Sequence, residues 1–142
     1  MTGEQRKQRL AEFLDRIWSR GEYDAIPAFI APRYSILNDP GDPWHGQTLD
    51  RDGFRDRIEK SRGPFPDQAF TPVSMLADGE AVAVSWTWKG THLGDIPGFA
   101  ASGKVIEMTG MTIYGFEGML LNSHWQVCDR LGVFMQLQAH AA

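Results

Sequence analysis

The sequence predicts an α+β domain, with three N-terminal helices packed on one face of a curved antiparallel sheet. Apolar residues recur at helical spacing through the first 62 positions. From residue 68 the spacing becomes that of strands. The dipeptides Asp78-Gly79 and Glu117-Gly118 divide that second half into hairpins. A curved sheet closed off by helices makes a cone with an apolar interior. No repeat, linker or low-complexity tract interrupts the 142 residues, so one domain spans 1–142.

Each element follows from local pattern. Leu10, Phe13, Leu14, Ile17 and Trp18 form one apolar stripe, which predicts a helix over 4–19 that Gly21 stops. A second helix, over about 23–30, buries Ile26, Phe29 and Ile30, and Pro32 ends it. Residues 33–37 read as a short strand. The run Asn38 to Gly46 is dense in turn formers and reads as a loop. Asp50 is placed to cap a third helix over about 51–62, with Phe54 and Ile58 facing inward. Strands are predicted over 70–76 and 80–91, the second alternating Val82, Val84, Trp86 and Trp88 against Ala83, Ser85, Thr87 and Lys89. After a loop over 93–103, residues 104–116 and 119–128 form another hairpin, and Asp129 caps a final helical turn over 130–137.

Composition narrows the function. The formal net charge of −4 argues against nucleic acid, whose phosphates need a basic footprint. The N-terminus lacks an apolar signal region, and no apolar run nears the roughly 20 residues that span a bilayer. A single cysteine, Cys128, excludes an internal disulfide and a multi-cysteine zinc site. A cytoplasmic location is the simplest reading. Five tryptophans and eight phenylalanines supply apolar surface for a core, a pocket or an interface.

Strand alternation sorts the last hairpin into two rows. Asn122, His124, Gln126 and Cys128 share one face; Leu121, Ser123, Trp125 and Val127 share the other. Either the polar row meets solvent, or it lines a pocket and the Trp125 row needs cover from outside. In the second case His124 is a candidate acid or base, because histidine titrates near neutrality. Trp86 or Trp88 would wall the pocket. Asp129 is read first as a helix cap and second as a pocket acid. Asp39, Asp42 and His45 are metal-capable types at close spacing, but the surrounding prolines and glycines explain them as turn residues, and no metal is assigned. Cys128 has no histidine base or oxyanion motif near it in sequence, and no glycine-rich phosphate loop or nucleophile elbow occurs.

Several pieces of the chain resemble the SnoaL-like polyketide cyclases of the nuclear transport factor 2-like superfamily. They are Gly90-Thr91-His92, Ser102-Gly103-Lys104, Ile113-Tyr114-Gly115-Phe116-Glu117, His124-Trp125, Asp129-Arg130-Leu131-Gly132, Gln136-Leu137 and, before the third helix, Trp44-His45-Gly46. The resemblance implies a cone-shaped fold, a hydrophobic small-molecule ligand and no metal or organic cofactor. Such enzymes close a ring by aldol condensation, with a carboxylate removing a proton from carbon. The catalytic aspartate of the family falls on Gln126 here, and a helping histidine falls on Thr112. A glutamine has no useful titration but donates a hydrogen bond to an enolate or carbonyl oxygen. The base is then His124 or Asp129, with Asn38, His45, Trp86, Trp88, Thr112 and Tyr114 placed around the substrate. A hydroxylase-type relative and a non-catalytic binding module are the alternatives. The resemblance also implies a homodimer formed through the face carrying Leu121, Trp125, Val127, Met111 and Ile113.

Overall fold

A computed structural model describes residues 1–141. The first helix, α1 (Gly3–Phe13), starts at a capping box in which the Thr2 side chain and the Gln5 side chain satisfy each other's backbone N–H groups. It continues without a break into a π-helical turn, Leu14–Ser19, which sends Leu14, Ile17 and Trp18 inward. The predicted second helix is shorter than expected. A 3-10 turn, Tyr23–Ala25, leads into one helical turn, α2 (Ile26–Phe29).

The strand β1 (Ile30–Asn38) is nine residues long and includes Pro32, rather than starting after it. The short β2 (Thr48–Leu49) covers its outer edge at Tyr34 and Ser35, beyond Pro32. The third helix, α3 (Arg51–Arg62), is capped by Asp50, whose carboxylate accepts from the Gly53 N–H. It buries Phe54, Arg57 and Ile58. Strands β3 (Ala69–Asp78), β4 (Ala81–Thr91), β5 (Val105–Glu117) and β6 (Leu120–Cys128) form the expected meander. The C-terminal helix α4 (Arg130–Ala141) runs beyond the predicted turn.

The sheet order is β2-β1-β6-β5-β4-β3, with β1 parallel to β6 and every other pair antiparallel. The parallel pair is what brings the loop after β1 against the middle of β6. Helices α1 and α3 cover the inner face, and the core of Leu10, Phe13, Ile17, Phe29, Tyr34 and Phe54 lies between them and the sheet.

The two-row reading of β6 needs one correction. Gly115 pairs with Ser123, but Phe116 pairs with Leu121, so a bulge at Asn122 shifts the register. The extra residue reverses the parity below it. Leu121 is therefore fully buried on the inner face and does not belong to the Trp125 row. Above the bulge the alternation holds: His124 is buried, while Trp125 and Val127 are exposed.

Candidate active site

The inner face of the sheet converges on one carboxylate, Asp39. It directly follows Asn38, the last residue of β1, and its side chain is only 1% exposed. His124, from β6, approaches with Nε2 at 2.9 Å from Oδ2. Arg57, from α3, donates to the same oxygen at 3.3 Å and to Asp42 at 3.1 Å. Arg130, in the first turn of α4, donates to Oδ1 at 3.1 Å and to the Pro40 carbonyl at 2.8 Å. Gln126 donates from Nε2 to both oxygens at 3.2 Å.

Two hydrogen-bond chains run into this carboxylate, and their proton order follows from donor chemistry. Trp86 Nε1–H has only a donor to offer and gives it to Thr112 Oγ1 at 2.9 Å. Thr112 then donates to Gln126 Oε1 at 2.7 Å, which leaves the Gln126 amide N–H groups for Asp39. On the other side, an ionised Asp39 can only accept. His124 Nε2 must therefore carry a proton, and Nδ1 accepts from the Tyr34 hydroxyl at 2.7 Å.

The electrostatics agree with that order. Burial alone pushes the Asp39 carboxyl up, but the His124 hydrogen bond and the charges of Arg57 and Arg130 outweigh it and hold Asp39 below the usual carboxylate range. Burial pushes His124 down, and this exceeds the upward pull of the Asp39 hydrogen bond. His124 is then neutral at pH 7. Two carboxylates, Asp39 and Asp42, face two guanidiniums, Arg57 and Arg130, so the ion-paired cluster carries no net charge. Burial raises Tyr34 well above the ordinary phenol range, mainly by desolvation, which keeps its proton on oxygen.

The residues singled out in the sequence take different places. His124, Gln126, Thr112 and Trp86 join the Asp39 network directly. Tyr114 is buried with its ring centroid 6.0 Å from that of His124. His45 is exposed but accepts the Asp39 N–H at Nδ1, 2.8 Å away, so it shapes the loop that carries the carboxylate. Asn38 binds the backbone carbonyl of Gln126 at 3.1 Å and holds β1 to β6. Trp88 is further along the inner face of β4, in edge contact with Phe65 at 4.9 Å.

Asp129 is exposed and accepts from the Gly132 N–H at 2.9 Å, which makes it the cap of α4. It also borders an open groove of about 490 Å³ on the outer face of the sheet, walled by Val73, Met111 and Val127. Cys128 lies there too, and burial raises its thiol pKa, the opposite of what a thiolate nucleophile needs.

Sequence reasoning missed Asp39, Arg57, Tyr34 and Arg130 as site members. One signal was present. Arg57 sits on the α3 stripe between Phe54 and Ile58, and a cation on an apolar stripe implies a buried anion opposite it.

The profile of the SnoaL-like polyketide cyclases matches residues 8–137. A proposed polyketide cyclase from Acidithiobacillus ferrooxidans is 47% identical, with 97% of this chain and 96% of that one covered at a TM-score of 0.93. TsrD from Streptomyces laurentii shares the fold at 23% identity, covering 98% of each chain with a TM-score of 0.81. AclR from Streptomyces galilaeus, a proposed hydroxylase, shares it at 19% identity, covering 96% of this chain and 87% of that one with a TM-score of 0.80. No protein of curated function matches the sequence. The profile match over nearly the whole chain and the close structural relative together place this chain in the SnoaL-like polyketide cyclase family.

Proposed function

We propose that the protein is a cofactor-free proton-transfer enzyme of the cyclase type, acting on a hydrophobic carbonyl-bearing or aromatic compound. The observation that carries this reading is the buried, ionised Asp39 held between His124 and Gln126. In the reaction a C–H bond next to the carbonyl breaks, and its electron pair moves to the carbonyl oxygen. The proton goes to the Asp39–His124 pair. Asp39 Oδ1 is the receiving atom, because Arg130, the one partner of that oxygen that is substantially exposed, can swing aside. His124 keeps its proton on Nε2, donates it to Oδ2 and fixes the carboxylate's orientation. Gln126 fills the role of a neutral hydrogen-bond donor beside the base. Thr112, Trp86 and Tyr114 line the substrate side, with His45 and Asn38 holding the loop.

Hydrogen–deuterium exchange at the acidic carbons of aromatic β-diketones and anthracycline-type ketones tests this reading. Exchange should be accelerated by the native protein and abolished in folded Asp39→Asn and His124→Gln variants. Exchange at the uncatalysed rate for every ketone would reject it.

A second reading, a non-catalytic binding module, draws on the saturation of the same network. Both His124 nitrogens are bonded, and Asp39 accepts from four groups. This reading expects ligand affinity with no exchange. A hydroxylase reading would require turnover that depends on oxygen.

We further propose a cytoplasmic homodimer. Met111, Ile113, Trp125 and Val127 stay 46–58% exposed on one sheet face, which favours cover by a second copy.

A further inference from the structure

We infer that Arg57 is the oxyanion-binding residue of this site, through its Nε–H. The inference deepens the proton-transfer reading and rests on it. The Arg57 side chain is 4% exposed, and its Nη2 is held by Asp39 and Asp42. Its Nε is buried and has no hydrogen-bond partner among the described residues. A buried cationic donor left without an acceptor is costly, and buried polar groups are almost always paired. An acceptor supplied by a ligand removes that penalty only when the ligand is bound.

A second observation places an aromatic wall beside the same group. The Arg57 guanidinium carbon lies 5.2 Å from the centre of the Trp18 ring. Trp18 is carried inward by the π-helical turn, an irregularity that often marks functional positions. Its backbone carbonyl is clamped by Arg62 Nε at 3.0 Å and Gln68 Nε2 at 3.1 Å, which fixes the main chain that carries the indole.

The charge balance selects the ligand class. The cluster is neutral with His124 neutral, so negative charge on a bound ligand is met by the unpaired Arg57 Nε–H rather than by a net charge of the cluster. Enolisation keeps the total at zero, because the proton stays on the Asp39–His124 pair while the negative charge forms on the substrate oxygen. Arg57, bonded to Asp39 through Nη2 and with its Nε–H unpaired, meets that charge where it develops. The ligand is therefore the same enolisable ketone, or its phenol-like enol tautomer, held by its oxygen at the Arg57 Nε–H.

Substituted nitrophenols mimic the enol and report their own ionisation by absorbance. Bound nitrophenols should have an ionisation constant at least tenfold greater than the free compounds. Arg57→Lys keeps a cation near Asp39 and Asp42 but loses Nε–H, and it should abolish the gain. In the native protein the Arg57 Nε–H resonance should shift on titration, which serves if the variant does not fold. An unchanged gain in Arg57→Lys, an unmoved resonance, or no nitrophenol binding would each overturn the assignment. Ionisation that depends on Arg57 without deuterium exchange on any ketone would leave the binding role standing and reject the enzymatic reading.

Discussion

Replacing Asp39 by asparagine should destabilise the protein severely although the change is nearly isosteric. The carboxylate is 1% exposed and accepts from His124, Arg57, Gln126 and Arg130. An amide removes the negative charge and turns one acceptor oxygen into a donor facing other donors. The cluster then holds one carboxylate against two guanidiniums, and Arg57, 4% exposed, keeps only Asp42. Breaking a buried ion pair from one side costs about 3–5 kcal/mol. Unfolding entropy for 142 residues is roughly 0.3 kcal/mol/K at about 2 cal/mol/K per residue, so Tm should fall by about 10–17 °C. Differential scanning calorimetry at pH 7 measures this, with circular dichroism to establish folding. The pH dependence adds a signature. The folded Asp39 pKa lies below its unfolded value of about 3.9, so its stabilisation is complete above that value and is lost as pH falls through the folded pKa. The Asp39→Asn variant should lack that acid-side loss. A Tm drop under about 3 °C at pH 7 would refute the argument that this carboxylate holds the cluster together.

His124 is neutral and buried, with its pKa below the unfolded value of about 6.5, so stability should decline as pH falls from about 6.5 through the folded value; thermal melts of His124→Gln should lack that slope. Gln126→Glu would set a second carboxylate about 3.2 Å from Asp39, and one of the pair should bind a proton at raised pH, strengthening the base. That variant should lose stability as pH rises through the raised pKa, the reverse of the native His124 slope, and a flat pH profile would contradict the shared site. Trp125→Glu places a charge in the exposed apolar face, and sedimentation should show the proposed dimer in the native protein and a monomer in the variant, with little change in Tm. A native monomer at micromolar concentration would remove the dimer proposal.

Much of the fold was legible because it rests on short-range pattern. The α1 stripe, the Asp50 cap, the Asp78-Gly79 turn and the alternation of β4 all depend on residues within a few positions of each other. The second helix is shorter and β1 longer than the pattern predicts because Pro32 tolerates an edge position in a strand as well as it ends a helix. Leu121 lies on the face opposite to the one alternation predicts because the bulge at Asn122 is a property of the β5–β6 pair, and neither strand shows it alone.

The amino-acid order by itself determined the α+β layout, the two-face alternation of β4 and the presence of a polar row holding His124 and Gln126. Those features follow from backbone periodicity and from turn chemistry, which act locally. Only the tertiary structure decided which carboxylate that row serves. Asp39 and His124 are 85 residues apart, and they meet because β1 runs parallel to β6. Arg57 from α3 and Arg130 from α4 then arrive by helix packing. Tertiary packing adds what sequence cannot carry, since the same aspartate in a solvated turn would be an ordinary acid, and here the His124 hydrogen bond and the paired cations outweigh desolvation and make it the fixed anion of the site.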